Sequence, residues 1–206
     1  MPDLPPDAFA RYDEEPDEDF YEMPRLVTHI DDPAIAFVTD LYRREFPPGG
    51  AVLDLMSSWV SHLPPEVAYR RVAGLGLNAE ELAANPRLTE RVVQNLNTTP
   101  TLPWGEAAFD GAGLCVSVQY LTTPVTVFRE VGRVLRPGAP LVVTFSNRCF
   151  PTKAVAVWQA LDDAGHQALV QQYFRDAGNW TAIMVEARRG RRWGEDPLFA
   201  VIGRRA

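Results

Sequence analysis

Short apolar runs alternate with amphipathic stretches along most of the chain. Continuous apolar runs of strand length occupy residues 51–55, 70–75, 90–94, 113–118 and 141–146. Apolar residues at helical spacing occupy residues 33–46, 79–85, 124–135, 152–162 and 165–176. Two last apolar segments, 180–187 and 198–203, flank a stretch rich in Gly and Arg and predict an antiparallel hairpin.

The alternation of buried strands with helices predicts the fold class. Strand–helix–strand units cross over with a right-handed turn and build parallel sheets whose two faces are covered by helices. We therefore predict an α/β fold: a Rossmann-like, seven-stranded, mostly parallel sheet with helices on both faces and a C-terminal antiparallel hairpin. At 206 residues the chain is long enough for one such domain with a sizeable core.

Charge is distributed unevenly between the start of the chain and the rest. Residues 1–22 hold nine of the 27 acidic residues but only one of the 20 basic residues, together with several prolines. A segment of this composition buries little apolar surface and is typically mobile. We predict an acidic, mobile N-terminal arm at residues 1–22 and a single domain at residues 23–206.

The remainder of the chain is close to neutral, which argues against broad nucleic-acid binding through phosphate neutralisation. The basic cluster RRGRRW at 188–193 is interpreted as a solvated hairpin tip. The two cysteines, Cys115 and Cys149, are too few for a disulfide framework or a metal site of cysteine pairs. No apolar run reaches the roughly 18 residues of a membrane span, and the acidic start does not resemble a secretory signal. We expect a cytoplasmic protein without a membrane segment.

His29 lies close to Asp31 and Asp32, and this grouping raises the question of a metal site. The two acids precede a helix predicted to start at Pro33, where carboxylates commonly accept hydrogen bonds from free amide groups. We therefore interpret both acids as helix-capping residues and expect no metal.

Four strings resemble, in order, the sections typical of class I S-adenosylmethionine-dependent methyltransferases of type 11: VLDL, VAGLGLNAEEL, LPWGEAAFDGAGLCVSVQYL and FREVGRVLRPGAPLVVTFSN. The resemblance covers about residues 33–203, and the run LPW-x4-FD followed by REV-x-RVLRPG is fairly specific. The chain is also similar to a branch of that group that carries DLMSSWVSHLP and SFSNRCFPTKA. The resemblance implies S-adenosylmethionine as the cofactor and methyl transfer as the reaction.

The turn after the first strand departs from the family pattern. Relatives carry an acid followed by Gly-x-Gly-x-Gly, whereas this chain keeps Asp54 but has Met56, Ser58 and Val60 at the glycine positions. These side chains occupy space that the ligand normally fills. The following helix is expected to be short, because prolines at 64 and 65 interrupt it. Ser57 and Ser58 are candidates either for capping that helix or for contacting the ligand.

The second strand lacks the acid that normally binds the ribose hydroxyls, since Gly76 takes its place. Losing a hydrogen bond to a charged group weakens binding roughly ten- to hundredfold, unless Asn78, Glu80 or Glu81 substitutes for it. We expect that Gly76→Asp would tighten cofactor binding. Asn95 aligns with the acid that meets the adenine amine, and its amide oxygen can still accept that bond. The candidate cofactor-binding residues are Asp54, Met56, Ser57, Ser58, Gly74, Gly76, Asn78, Asn95, Leu96 and Ser117.

The ends of the fourth and fifth strands supply the candidate reaction side of the site. Methyl transfer requires alignment, desolvation and sometimes a base. The candidate catalytic residues are His62, Tyr120 and Lys153, and the candidate acceptor-binding residues are Gln119, Asn147 and Arg148. Simpler interpretations stay open: Tyr120 as a packing residue, Gln119 as a partner of loop amides, and Arg148 as a partner of a surface acid.

The leading functional interpretation is an S-adenosylmethionine-dependent methyltransferase that acts on a small-molecule acceptor. Two alternatives predict the same fold: a non-catalytic, methyltransferase-like binding protein, and a protein whose pocket takes a different ligand. Hydrolase and nicotinamide-dependent classes are disfavoured, because G-x-S-x-G is missing and no G-x-G-x-x-G follows the first strand.

Overall fold

The computed structural model describes residues 4–188, 190 and 195–206. Most of the basic cluster at 188–193, which we expected at a hairpin tip, lies outside the described residues. The strands are β1 (Ala51–Leu55), β2 (Arg71–Gly76), β3 (Glu90–Val93), β4 (Gly111–Cys115), β5 (Pro140–Ser146), β6 (Trp180–Arg188) and β7 (Leu198–Arg205). The α-helices are α1 (Asp17–Phe20), α2 (Asp32–Glu45), α3 (Ala79–Ala84), α4 (Pro124–Val134), α5 (Ala156–Gln159) and α6 (Asp163–Ala177).

The seven strands form one sheet in the order β3-β2-β1-β4-β5-β7-β6. The pairs among β1 to β5 are parallel, whereas β7 runs antiparallel to both of its neighbours, β5 and β6. The predicted fold class is therefore confirmed, including the antiparallel hairpin at the C-terminus.

Helices cover both faces of this sheet because the central strands are apolar on both sides. In β1, Leu53 and Leu55 belong to the hydrophobic cluster formed with α4 and α6. The intervening Val52 belongs to the opposite cluster, with Val38 and Leu41 of α2. Alternate side chains of a strand point to opposite faces, so β1 is buried along its whole length, as expected for a parallel strand between two helical layers.

The helix ends follow the local chemistry of the sequence. Asp31 accepts a hydrogen bond from the Ala34 amide at the start of α2, as a capping acid should. Asp162 caps α6 in the same way, and Gly178 ends that helix in the left-handed conformation. The predicted role of Asp31 as a helix cap is therefore confirmed.

Two predicted segments differ from the structure. The helix expected at 152–162 is reduced to α5, because the amides of Ala156 and Val157 donate to the carbonyls of Ala10 and Ala8. The segment after β1 was expected to hold a short helix, but residues 56–70 are irregular. Prolines at 64 and 65 lack the amide hydrogens that a helix there would require.

The acidic segment at the start of the chain lies against the domain. Its composition predicts a mobile arm, yet Arg11 pairs with Val155 in an antiparallel bridge, and the Asp13 amide donates to the Thr152 carbonyl. Ala8 is buried in the main hydrophobic cluster. The described part of this segment therefore packs on the sheet edge that carries the ends of β4 and β5.

Within the described ranges, no helix has both the length and the apolar character needed to cross a membrane.

Candidate functional site

A cavity of about 400 Å³ lies at the carboxyl ends of the parallel strands, around the junction of β1 and β4. Open α/β sheets bind ligands at this point, where the order of the strands reverses. The volume falls within the range of small-molecule sites. The wall contains residues from 54–62, 75–81, 94–97, 115–121 and 146–150, and residues from 17–30 complete it.

The loop after β1 passes over the end of β2. The Ser57 amide donates to the Leu75 carbonyl at 2.8 Å, which fixes the loop against the neighbouring strand. Met56 has a φ of 50° and His62 a φ of 52°, both in the left-handed region that glycine favours. Met56 therefore occupies a glycine position of the family pattern with a glycine-like backbone, at a cost of about 1–2 kcal/mol.

Met56 and Val60 line the cavity without filling it, since the volume of about 400 Å³ is measured with both side chains in place. Met56 is partly buried and packs against the main hydrophobic cluster. The larger side chains at the former glycine positions thus narrow the site but leave room for a small molecule.

Asp54 is a buried carboxylate at the end of β1. Its Oδ2 atom accepts hydrogen bonds from Ser57 Oγ and Ser61 Oγ, both at 2.6 Å, and Asn85 donates in turn to Ser61 Oγ. Burial raises the pKa of Asp54 to about 6, although the two serine bonds oppose the shift. Among the described residues, Asp54 has no cationic partner. The site therefore holds a carboxylate that no cation in the described part of the chain neutralises directly.

The two serines considered as helix caps have other partners. Ser57 donates to Asp54, while Ser58 donates to Glu81 Oε2 at 2.6 Å. Both serines line the cavity. Their hydroxyls organise the two carboxylates of this region, and no helix follows β1 for them to cap.

Gly76 has no room for the acid that relatives carry at this position. A Cβ atom there would overlap with the Ser57 carbonyl oxygen and crowd Leu82. Our expectation that Gly76→Asp would tighten cofactor binding is therefore wrong for this loop conformation, because the loop occupies the space of the new side chain. The altered turn after β1 and the missing acid of β2 are consequences of a single packing arrangement.

The polar groups at the ends of β2 and β3 are hydrogen-bonded to the N-terminal segment. Asn78 Nδ2 donates to the carbonyls of Tyr21 and Glu22, and its Oδ1 caps α3. Asn95 Nδ2 donates to the Glu18 carboxylate at 2.9 Å. Glu81 accepts the Arg25 amide at 2.7 Å. Residues 18–25 therefore bind the side chains that we assigned to the nucleoside.

Lys153, a candidate catalytic residue, lies outside the cavity wall. Its side chain is fully buried, with Nζ 2.7 Å from the Glu15 carbonyl oxygen, 3.3 Å from Asp13 Oδ2 and 3.6 Å from Asp17 Oδ1. The structure thus directs the ammonium group to the acidic segment instead of to the site. The single lysine of the chain holds that segment against the domain.

Three other candidates also lie outside the wall. Gly74 faces Leu88, whose side chain leaves no space for a Cβ atom. Gln119 is buried and donates to the Val116 carbonyl, so it bonds a loop carbonyl and not the loop amides of the simpler interpretation. Asn147 is exposed. None of these residues belongs to the described cavity lining.

The remaining candidates line the cavity. Burial raises the pKa of Tyr120 to about 12, and its hydroxyl accepts the Phe150 amide at 2.9 Å. Burial lowers the pKa of His62, so its imidazole is neutral at pH 7.

Arg148, another candidate in the cavity wall, donates through Nε to Asp196 at 2.6 Å. Ser117 Oγ is buried and has no hydrogen-bond partner among the described residues. Leu96 adds an apolar contact.

Residues 17–30 contribute to the cavity, although the composition of residues 1–22 predicts a mobile arm. Arg25 and Tyr21 are the chief residues missed, and the aromatic rings of Trp59 and Phe150 were missed with them. The available signal was the sequence FYEMPR at 20–25, whose aromatic residues are unusual in a solvated segment.

Comparison with known proteins agrees with this description. The family model for a methyltransferase domain matches residues 56–143. A protein from Pyrococcus horikoshii is 16% identical, with a TM-score of 0.63 over 91% of this chain and 99% of that one. An S-adenosylmethionine-dependent methyltransferase from Aquifex aeolicus is 15% identical, with a TM-score of 0.58 over 92% and 97%. The [4+2]-cyclase SpnF is 15% identical, with a TM-score of 0.52 over 82% and 80%. No curated protein matches the chain.

The topology and the position of the cavity define the fold of the class I S-adenosylmethionine-dependent methyltransferases. The methyltransferase-domain model of type 11 matches residues 56–143, so the resemblance drawn from the sequence is confirmed over this part of the chain.

Replacing Lys153 by Met should release the acidic segment. The change keeps the buried volume but removes the cation of Asp13 and one of the two cations of Asp17, which also pairs with Arg11. Breaking such a pair costs about 2 kcal/mol or more. We expect a lower free energy of unfolding in urea and faster tryptic cleavage after Arg11. Arg43→Met, which breaks an exposed ion pair with Glu66, is the control and should cost less than about 1 kcal/mol. Equal losses of unfolding free energy and equal cleavage rates in the two variants would show that Lys153 does not hold the acidic segment against the domain.

The left-handed backbone at Met56 can be tested by comparing two truncations. Met56→Gly and Met56→Ala both remove the side chain, but only glycine relieves the strain at a φ of 50°. We expect the Gly variant to be more stable than the Ala variant by about 1 kcal/mol in urea unfolding. At Val60, which is not among the positive-φ residues, the same pair should show the reverse order. An Ala variant as stable as the Gly variant at residue 56 would disprove the strain.

The raised pKa of Asp54 predicts a pH-dependent stability. Between about pH 4 and pH 6 the folded protein retains a proton that the unfolded chain releases, so stability falls as pH rises through this window. Relative to Asp54→Asn, which preserves acceptors for both serines, the native protein should lose about 3 kcal/mol across the window and little above it. Urea unfolding of both proteins from pH 4 to 8 measures this difference. Parallel stability curves would show that the carboxylate titrates normally.

Proposed function

We propose that this protein is an S-adenosylmethionine-dependent methyltransferase that acts on a small-molecule acceptor. The observation that carries the proposal is the cavity at the strand ends, with the unpaired carboxylate of Asp54 in its wall. A cationic ligand compensates such a carboxylate, and S-adenosylmethionine carries a positively charged sulfonium. Its role when bound is to supply the methyl group for transfer.

The residues present fit this cofactor in part. Ser117 Oγ is a buried hydroxyl without a described partner in the cavity wall, so it is available to a ligand. Met56 and Val116 keep left-handed backbones at the ends of β1 and β4, where a close approach of ligand to main chain is favoured. We assign Asp54, Ser117 and the apolar Leu96 to cofactor binding, whereas both amide atoms of Asn95 are already hydrogen-bonded, to Glu18 and to the Asn97 amide.

The chemistry assigned to the chain consists of alignment, exclusion of water and removal of a proton. His62 is neutral at pH 7 and can accept a proton from an acceptor hydroxyl, amine or thiol. Tyr120 stays protonated, because its pKa is about 12, and can donate a hydrogen bond to the acceptor. The N-terminal segment contributes part of the wall, and we assign to it the role of limiting the access of water to the reacting groups.

A second candidate function is non-catalytic binding, or a different reaction in the same cavity. The site lacks room for a ribose-binding acid at Gly76, and residues 18–25 already occupy the amides of Asn78 and Asn95. These observations favour a ligand other than the usual nucleoside. The similarity to SpnF, a [4+2]-cyclase, indicates that this fold also serves other chemistry.

We propose a cytoplasmic location for either function. Cys115 and Cys149 are both free thiols, as is usual in a reducing compartment. The acceptor is proposed to be a diffusible small molecule, because the cavity holds about 400 Å³ and residues of the N-terminal segment form part of its wall.

Thermal unfolding with S-adenosylmethionine or S-adenosylhomocysteine tests the proposal. Ligand at about a hundredfold excess over its dissociation constant adds about 2.7 kcal/mol of stability, which raises the midpoint by roughly 5–10 °C for a chain of this size. Ser117→Leu, which fills the cavity, should abolish the rise, whereas Asn147→Leu at an exposed position outside the wall should preserve it. An unchanged midpoint at millimolar concentrations of both ligands would favour the second candidate.

A further inference from the structure

Arg25 is an arginine of the cavity wall enclosed by aromatic rings. Its guanidinium carbon lies 4.6 Å from the centre of the Phe20 ring, 5.4 Å from that of Phe150 and 5.5 Å from that of Tyr21. Nη2 donates to the Phe20 carbonyl at 2.8 Å. The rings and this bond hold the guanidinium in a fixed orientation, which lowers the entropic cost of using it in recognition.

The positive charge of Arg25 has no counter-ion in the described part of the chain. Its Nη1 atom is buried and lacks a hydrogen-bond partner among the described residues. The Glu81 carboxylate accepts hydrogen bonds from the backbone amide of Arg25 and from the hydroxyl of Ser58, and none from the Arg25 guanidinium. The other arginine of the described wall, Arg148, is paired with Asp196. Buried donors are normally satisfied, and Nη1 of Arg25 shares its lack of a partner with Nε of Arg87. Arg25 differs from Arg87 in that it lines the cavity, where a ligand group could supply the missing acceptor.

We propose that Arg25 binds a carboxylate of the acceptor and that the acceptor is a small, planar carboxylic acid. Guanidinium groups form strong bonds with carboxylates because the planar donors match the two oxygens. Because Arg25 offers one positive charge without a counter-ion among the described residues, we assign one negative charge to the group that it binds. A phosphate dianion would face additional repulsion from the carboxylates of Asp17, Asp54 and Glu81, which all line the same cavity.

The apolar part of the acceptor is assigned from the neighbouring rings. Phe150 stacks with Tyr120 at a centroid distance of 5.9 Å and an interplanar angle of 28°, and both line the cavity with Trp59. Flat aromatic surfaces pack best against flat ligands. The site therefore combines one charged anchor with aromatic walls, which is the chemistry of an aromatic carboxylate. The assignment as acceptor rests on the proposed methyltransferase function, whereas the carboxylate site itself does not.

Titrations followed by ¹⁹F nuclear magnetic resonance test the site without any reaction. The probes are 4-fluorobenzoate, its neutral analogue 4-fluorobenzamide, and 4-fluorophenyl phosphate, at pH 8, where a histidine of ordinary pKa is neutral. We expect the native protein to bind the benzoate about tenfold to a hundredfold more tightly than the benzamide, since a hydrogen bond to a charged group gives this ratio. Arg25→Gln should remove the preference while benzamide binding changes little.

Arg87→Gln is the matched control. Arg87 also lies over an aromatic ring, 5.7 Å from the centre of Tyr69, and also donates to a backbone carbonyl, that of Val67, but it is outside the cavity wall. This variant should keep the full preference for benzoate. Arg25→Lys tests geometry, because a point charge should recover only part of the preference.

Three results would overturn the proposal: equal binding of benzoate and benzamide, a preference that survives Arg25→Gln, or phenyl phosphate binding about tenfold more tightly than benzoate. The first two would leave Arg25 as a structural support of the aromatic rings, and the third would assign the site to phosphoryl groups. Repeating the titration with S-adenosylhomocysteine separates the two hypotheses. Carboxylate binding without S-adenosylhomocysteine binding would contradict the methyltransferase function but retain the Arg25 site.

Discussion

The contact between the backbone of Ser57 and the end of β2 determines the form of the candidate site. The Ser57 amide donates to the Leu75 carbonyl, and the Ser57 carbonyl oxygen occupies the place of a Cβ atom at Gly76. This approach requires glycine in β2 and a sharp, left-handed turn at Met56. The loop that results brings Ser57 and Ser61 onto Asp54. One steric constraint therefore links two departures from the family pattern, the altered loop at residues 56–62 and the glycine at position 76. Because the two are linked, we do not expect a single substitution to restore the usual site.

The N-terminal segment compensates for part of what this loop removes. The amide and carboxylate groups at the ends of β2 and β3 are hydrogen-bonded to residues 18–25, so they are satisfied without a ligand. Buried polar groups that lack partners are costly, and the segment avoids this cost. The buried Lys153 side chain holds the segment in place through Asp13, Asp17 and the Glu15 carbonyl. The segment is thus part of the cavity wall, and its acidic composition reflects specific partners within the fold.

Local patterns in the sequence were sufficient for the strands and long helices, because burial on both faces produces continuous apolar runs and amphipathic stretches. They failed at α5 and at the loop after β1, where partners distant in the sequence decide the backbone conformation. The strand-end positions of the site were also predictable, since topology brings those ends to one edge. Arg25 and the role of Lys153 were not, because both depend on how residues 8–25 fold back on the sheet, and no local periodicity encodes that path.

The charges of the cavity favour ligand binding despite the missing ribose acid. Asp54 lacks a cation and Arg25 lacks an anion among the described residues, so each is destabilising unless an external group compensates it. Losing one charged hydrogen bond weakens the binding of a ligand roughly ten- to hundredfold. A ligand that compensates one buried charge gains affinity of about the same order. A cationic cofactor beside Asp54 and an anionic acceptor beside Arg25 would each relieve one of these penalties. A fold-mate without any ligand would be more stable with neutral residues at both positions, whereas this chain has Asp54 and Arg25 there.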